Sequence, residues 1–186
     1  MKRPSPDITL DENHVYRVEG RIVPSVTGII KACGLMNTQW SSQWHMDRGT
    51  AVHRAVHLLE IDDLDPASVE PIIEPYLDAW KAFKLETDYQ GHEYEQIVYH
   101  PTYQYAGTLD QTGVLNGRTC LIDLKTGSHQ SWWSIQCSAY NAVAKMQDRY
   151  SLELHDNGKY KLIQHKDKRD FQRFLACLTV AGMQNR

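Results

Sequence analysis

The chain has few cysteines: four in 186 residues, no two of them in a C-x-x-C pair. That spacing excludes a zinc ribbon and provides no disulfide framework, so the thiols read as the reduced ones of a cytoplasmic protein. No apolar run approaches the roughly 20 residues that a membrane span needs. The opening stretch MKRPSPDITLDENH lacks the apolar segment of a secretory signal, and residues 1–14 read as a flexible lead-in. No G-x-x-x-x-G-K-[ST] occurs, so there is no P-loop for a nucleoside triphosphate. A dominant charge is missing too, because 20 Lys and Arg against 23 Asp and Glu leave −3. The chain as a whole therefore has no electrostatic signature of nucleic-acid binding. Without internal repeats or low-complexity linkers, residues 1–186 suit one domain with a real core.

The charge that is present is unevenly placed. Residues 60–78 carry seven acids and no base, whereas residues 159–186 carry seven Lys and Arg against two Asp. The basic segment suits either a polyanion or a solvated helix face.

Periodicity divides the chain into a helical part, a stranded part and a mixed end. HVYRVEGRIV alternates as a hairpin around Glu19-Gly20, and a helix follows with Ser25 as N-cap and Gly34 as stop. RGTAVHRAVHLLE places Val52, Ala55, Val56 and Leu59 on one helical face. A further helix is expected after Asp65-Pro66, with Pro75 limiting its continuity. From Glu93 the period becomes two, predicting strands in EYEQIVYH, QYAGTLDQTGVL and RTCLIDLKT. SWWSIQCSAYNAVAKMQ returns to helix, SLELHDNGKYKLIQH is a second hairpin, and DKRDFQRFLACLTVAGM is a last helix. The order predicts one mixed α/β domain.

The segment GTLDQTGVLNGRTCLIDLKTG, residues 107–127, raises a question of charge. Asn116-Gly117 between alternating runs predicts a two-residue type I′ hairpin turn. That turn pairs Leu115 with Arg118, and the same register carried along the strands sets Asp110 opposite Asp123, with Cβ atoms ~5 Å apart. Asp123 and Lys125 share one face of their strand, while Ile122 and Leu124 point to the other. Opposed carboxylates repel unless a cation lies between them. A surface ion pair accounts for Asp123 and Lys125 but gives Asp110 no reason to be there. A divalent cation held by oxygen ligands, Mg²⁺ or Mn²⁺, accounts for all three.

This constellation resembles the PD-(D/E)XK nuclease superfamily, with Asp110 as the first-motif aspartate and Asp123-Leu124-Lys125 as the second motif. Leu109 stands where the family name implies proline. Further stretches resemble the RecB-like exonuclease branch: RGTAVH (Arg48 to His53), QCSAY (Gln136 to Tyr140) and VPSVTGII near the N-terminus. The resemblance runs from Val23 to Tyr140, and residues 141–186 match nothing in it. It implies a restriction-endonuclease-like core, a small mixed β-sheet flanked by helices. It also implies Asp110, Asp123, the Leu124 carbonyl and His53 as metal ligands, and Asp110, Asp123 and Lys125 as catalytic groups. Gln136, Tyr140 and Arg48 would face DNA, and Glu95 would support the ligands.

The implied activity is a stand-alone, phage-type, metal-dependent DNA exonuclease acting on DNA ends or single strands. A structure-selective or nicking endonuclease, or a module that binds DNA without cutting it, are the alternatives. The branch members that carry an iron-sulfur cluster use a C-terminal cysteine triplet. Here only Cys177 lies near the end, so no cluster is expected. His53 and His57 also stand four apart, as in metalloproteases, but the general base is replaced by Arg54 and that chemistry is excluded.

Overall fold

The computed structural model describes residues 6–36 and 43–184, and residues 1–5 of the expected lead-in lie outside them. Ile8–Leu10, also expected to be flexible, instead forms β1, which pairs with β2 (Tyr16–Val18). β2 turns at Glu19-Gly20 into β3 (Arg21–Val23), completing a small antiparallel sheet. The expected helix follows as α1 (Val26–Ala32), where the Ser25 hydroxyl accepts a hydrogen bond from the Gly28 N–H.

α2 (Gln43–Glu60) buries Val52, Ala55 and Val56, three of the four residues expected on its apolar face. The helix expected from Pro66 is broken in two. Pro66–Ser68 makes a single 3-10 turn, and α3 (Glu74–Glu86) starts later with Pro75 in its first turn. Proline fits there because the first helical N–H groups need no intrahelical acceptor. Glu60, at the end of α2, accepts from Trp80 Nε1 at 2.8 Å, Lys84 Nζ at 2.7 Å and the Tyr94 hydroxyl at 2.9 Å, tying α2 to α3 and the sheet.

The second sheet is mixed, with strand order β4 (Gln90–His100), β5 (Tyr105–Leu115), β6 (Arg118–Lys125), β7 (Asp148–Leu154) and β8 (Tyr160–Gln164). All neighbours are antiparallel except β6 and β7, which run parallel. A parallel join needs a crossover, and α4 (Trp133–Ala144) provides it. The last helix is α5 (Asp170–Gln184). The expected small mixed sheet flanked by helices is therefore what the chain forms. No helix among the described residues is long and apolar enough to cross a membrane.

Each face of this sheet has its own core. Cys120, Ile122 and Leu124 of β6 pack with α2 and α3, while Leu121 packs with α1, α4 and α5, as period two requires.

β5 departs from that rule. Tyr105 donates its hydroxyl to the Ala139 carbonyl and Leu109 joins the α4 side, yet Gln111 and Leu115, still at odd positions, meet Tyr89 and the α3 side. The pleat therefore reverses at Asp110. Opposite it on β4 stands Glu95, bracketed by the pairs Tyr94↔Gln111 and Gln96↔Leu109 and held at φ 49°. A left-handed φ is uncommon for a residue with a Cβ, and such strain concentrates where function fixes the backbone.

Candidate active site

The Asn-Gly turn forms as expected, with Asn116 and Gly117 at φ 51° and 70° and Leu115 opposite Arg118. The ladder holds its register back to Gln111↔Ile122 and then stops, one step before Asp110 and Asp123. Asp110 instead turns its carboxylate to other partners. Oδ2 accepts the Leu124 N–H at 2.6 Å, and Oδ1 lies 3.1 Å from His53 Nδ1 on α2. Leu124, expected to offer its carbonyl, also meets the site through its amide.

Ligand atoms of His53, Glu95 and Asp110 all lie within 4.8 Å of one another. One imidazole and two carboxylates at this spacing suit a divalent cation that accepts nitrogen as well as oxygen. Glu95, expected only to support the ligands, is a full member of this group. The alternation of its strand did not reveal this, because only the left-handed backbone aims it there.

Asp123 lies beside the group, 3% exposed. Lys125 Nζ is 2.5 Å from its Oδ2, an ion pair that leaves this buried oxygen without a hydrogen bond of good geometry. One imidazole and two carboxylates within 4.8 Å of one another, with the buried Asp123 carboxylate alongside, are a donor set that fits a divalent metal.

Lys125 is fixed from several directions. Its ammonium donates to Gln136 Oε1 at 2.8 Å and lies 5.5 and 5.7 Å from the ring centres of Trp132 and Trp133. The Gln136 amide nitrogen donates in turn to the Tyr140 hydroxyl at 3.3 Å and to Thr27 Oγ1 at 3.4 Å. Gln136 and Tyr140, expected to face DNA, are both buried and form a hydrogen-bonded chain behind the lysine. Arg48, expected on the same surface, is also engaged internally. It donates to the Thr126 carbonyl at 3.1 Å, and its guanidinium lies over Trp44 at 4.9 Å and Tyr76 at 5.4 Å. Arg48 thus braces α2, and with it His53, against the end of β6. Thr27, Trp132 and Trp133 were not assigned to the lysine from sequence; the pair of tryptophans ahead of Gln136 was the only available signal.

The electrostatics follow from burial and pairing. Burial would raise the Asp110 pKa, but His53, Lys125 and the Leu124 N–H outweigh it and hold the carboxyl below its ordinary range. Burial likewise opposes charging of His53 and Lys125, yet Asp110 and Asp123 outweigh it and both cations titrate higher than usual. Asp123 is pushed up to about 6 by burial, with Asp110 adding to the rise and Lys125 opposing it. Glu95 is exposed as a residue, but desolvation of its carboxyl and then the Asp110 charge push it up to about 7. The cluster therefore keeps protons that a cation would displace.

A centre of two carboxylates and an imidazole, with the Asp123–Lys125 ion pair alongside, is able to hold a divalent cation next to a buried ammonium. No family model and no curated protein matches the chain. Among solved structures, it is similar to SSO0001, at 14% identity and TM-score 0.41, covering 74% of this chain and 75% of that one. It is also similar to the alkaline exonuclease LHK-Exo from Laribacter hongkongensis, at 12% identity and TM-score 0.47, covering 86% of each chain. The complex of LHK-Exo with dAMP aligns at 13% identity and TM-score 0.43 over 87% of each chain.

Proposed function

We propose that this chain is a metal-dependent deoxyribonuclease of the PD-(D/E)XK type. In this reading it hydrolyses phosphodiester bonds as a RecB-like exonuclease at DNA ends or on single strands. The observation that carries the reading is the convergence of His53, Glu95 and Asp110 beside the buried Asp123–Lys125 pair. Those first three residues, with Asp123, would hold Mg²⁺ or Mn²⁺. When bound, such an ion supplies an acidified water and polarisation of the scissile phosphate.

The remaining work falls to the chain's own groups. The Leu124 N–H fixes the rotamer of Asp110, so that its other oxygen stays turned toward His53. Lys125 keeps its proton and presents a positive charge where negative charge develops on the phosphoryl oxygens in the transition state. Gln136 accepts from that ammonium and, through Thr27 and Tyr140, prevents it from swinging away. Such preorganisation counts because a charged donor already in place needs no reorganisation during the reaction.

The test is digestion of end-labelled linear and covalently closed circular DNA, single- and double-stranded, with Mg²⁺, Mn²⁺ or EDTA. Metal-dependent loss of label from linear DNA with circles left intact is expected, and nicking of the circles would indicate an endonuclease instead. Asp123→Asn and Lys125→Ala should each abolish cleavage while the protein stays folded. Undiminished cleavage by either folded variant overturns the assignment.

A further inference from the structure

A cavity of about 600 Å³ opens beside the proposed metal cluster. His53 and Glu95 form its inner wall, His45 and Met46 line it from the first turns of α2, and Trp132 lines it from the start of α4. Its size is in the range of small-molecule and nucleotide pockets. Arg54 also lines it, and among the described residues Glu95 is the one carboxylate of the lining.

Trp132 is set apart from the other lining groups. It is half-buried, and its ring is held in place on two sides. The Lys125 ammonium lies 5.5 Å from its centre, and Trp133 packs against it edge to face at 6.3 Å and 89°. Trp133 is itself 3% exposed and packs edge to face on His129 at 5.1 Å. The indole thus packs on the α4-side core, carries the Lys125 ammonium over its ring and borders the cavity that His53 and Glu95 also line. A nucleobase has two flat π-faces that stack on such a platform whatever its identity. An interior base of a duplex has both faces covered by its stacked neighbours, and a terminal base would bring its paired partner into the cavity with it, so the platform favours an unpaired base.

We infer that this cavity receives the base of the nucleotide adjoining the cleaved bond, stacked on Trp132, so that the substrate is DNA unpaired at the cut. The inference rests on the nuclease reading and narrows its substrate. It also makes Trp132 a contact shared between substrate and Lys125, because one indole touches both.

Binding tests the inference separately from cleavage. Fluorescence anisotropy in EDTA would compare labelled single-stranded tetranucleotides with versions bearing an abasic residue at each position in turn. At one position the abasic residue should weaken binding by roughly tenfold or more, the size base–aromatic stacking carries. Trp132→Ala should bind the parent and that abasic oligonucleotide alike, and Trp132→Phe should restore much of the difference. A blunt hairpin with a stem long enough to stay paired and the same terminal sequence should bind more weakly than the single strand. Equal affinity of the wild-type protein for parent and every abasic oligonucleotide, or no binding of the parent, overturns the stacking. That comparison needs no variant, so misfolding of Trp132→Ala would not obscure it. Cleavage of the same oligonucleotides with Mn²⁺ then reports on the nuclease reading. Hydrolysis indifferent to the abasic residue removes only the stacking, whereas no hydrolysis of any DNA removes the nuclease itself.

Discussion

Raising the pH from about 5 to about 8 should destabilise the metal-free protein while strengthening its hold on a divalent cation, and Asp123 sets the scale. Its carboxyl is 3% exposed and is pushed up to about 6 by burial, from an ordinary value of 3.8. Between those values the folded chain keeps a proton that the unfolded chain has released, so stability falls as pH rises. Each unit is worth about 1.4 kcal/mol, and about one unit of the window lies above pH 5. His53 acts in the same sense: its raised pKa gives stability that is complete below 6.5 and is lost as pH rises through the folded value. Glu95, pushed up to about 7, also agrees in sign, although the residue is solvent-exposed and its effect is screened. Asp110 does not oppose them in this range, because stability from its lowered pKa is already complete above 3.8. In EDTA the protein should therefore lose on the order of 2 kcal/mol between about pH 5 and about pH 8, roughly 4–8 °C in Tm.

Binding of Mn²⁺ must displace those protons, so its stabilisation should grow over the same range. At a hundredfold excess over Kd it is about 2.7 kcal/mol, or roughly 5–11 °C. Each displaced proton removes about 1.4 kcal/mol of that per unit of pH below the controlling pKa. Thermal melts at about pH 5, 6, 7 and 8, with EDTA or Mn²⁺, measure both trends. Asp123→Asn should flatten the EDTA profile. A flat wild-type profile in EDTA, or a larger Mn²⁺ shift at the acid end, would refute the assignment of these groups.

Three further outcomes are expected. Gln136→Leu, which removes the acceptor from Lys125, should lower cleavage on the order of a hundredfold, and Gln136→Glu should restore part of it; equal rates for the two would show that the Lys125 contact is not what matters. Gly113→Ala should cost at least about 2 kcal/mol, because a Cβ there would run into the Gln90 carbonyl and the Tyr89 ring. An unchanged Tm would mean that β4 and β5 do not approach so closely. Glu60→Gln should destabilise by about 2–3 kcal/mol in urea titrations, since an amide cannot accept from Trp80, Lys84 and Tyr94 together; a neutral result would show that the three donors find water instead.

Much of the architecture was legible because local signals and tertiary packing agreed. The Asn116-Gly117 turn fixed the β5–β6 register, and the alternation of Cys120, Ile122 and Leu124 against Leu121 and Asp123 assigned the two faces of β6. The site was legible where it depended on that hairpin. Sequence alternation failed at Asp110, where the pleat reverses, and at Glu95, whose left-handed backbone no residue pattern announces. DNA contacts for Gln136, Tyr140 and Arg48 were implied by the resemblance and not by the alternation. Their hydrogen bonds to Lys125, to each other and to Thr126 depend on how α4 and α2 pack, and period alone does not encode that. The parallel placement of β7 was equally hidden, since a hairpin signal says how β7 meets β8 and nothing about the strand on its other side.

That placement gives residues 141–186 a purpose apart from chemistry. β6, which carries both Asp123 and Lys125, is interior only because β7 pairs along it from Cys120↔Asp148 to Lys125↔Glu153. A fragment ending soon after Tyr140 would contain every residue proposed for catalysis, yet β6 would become an edge strand. The unpaired N–H and C=O groups of a largely apolar strand would then be open to any passing chain. Such a fragment should aggregate rather than fold, so the C-terminal segment works as a built-in guard for the strand that carries Asp123 and Lys125.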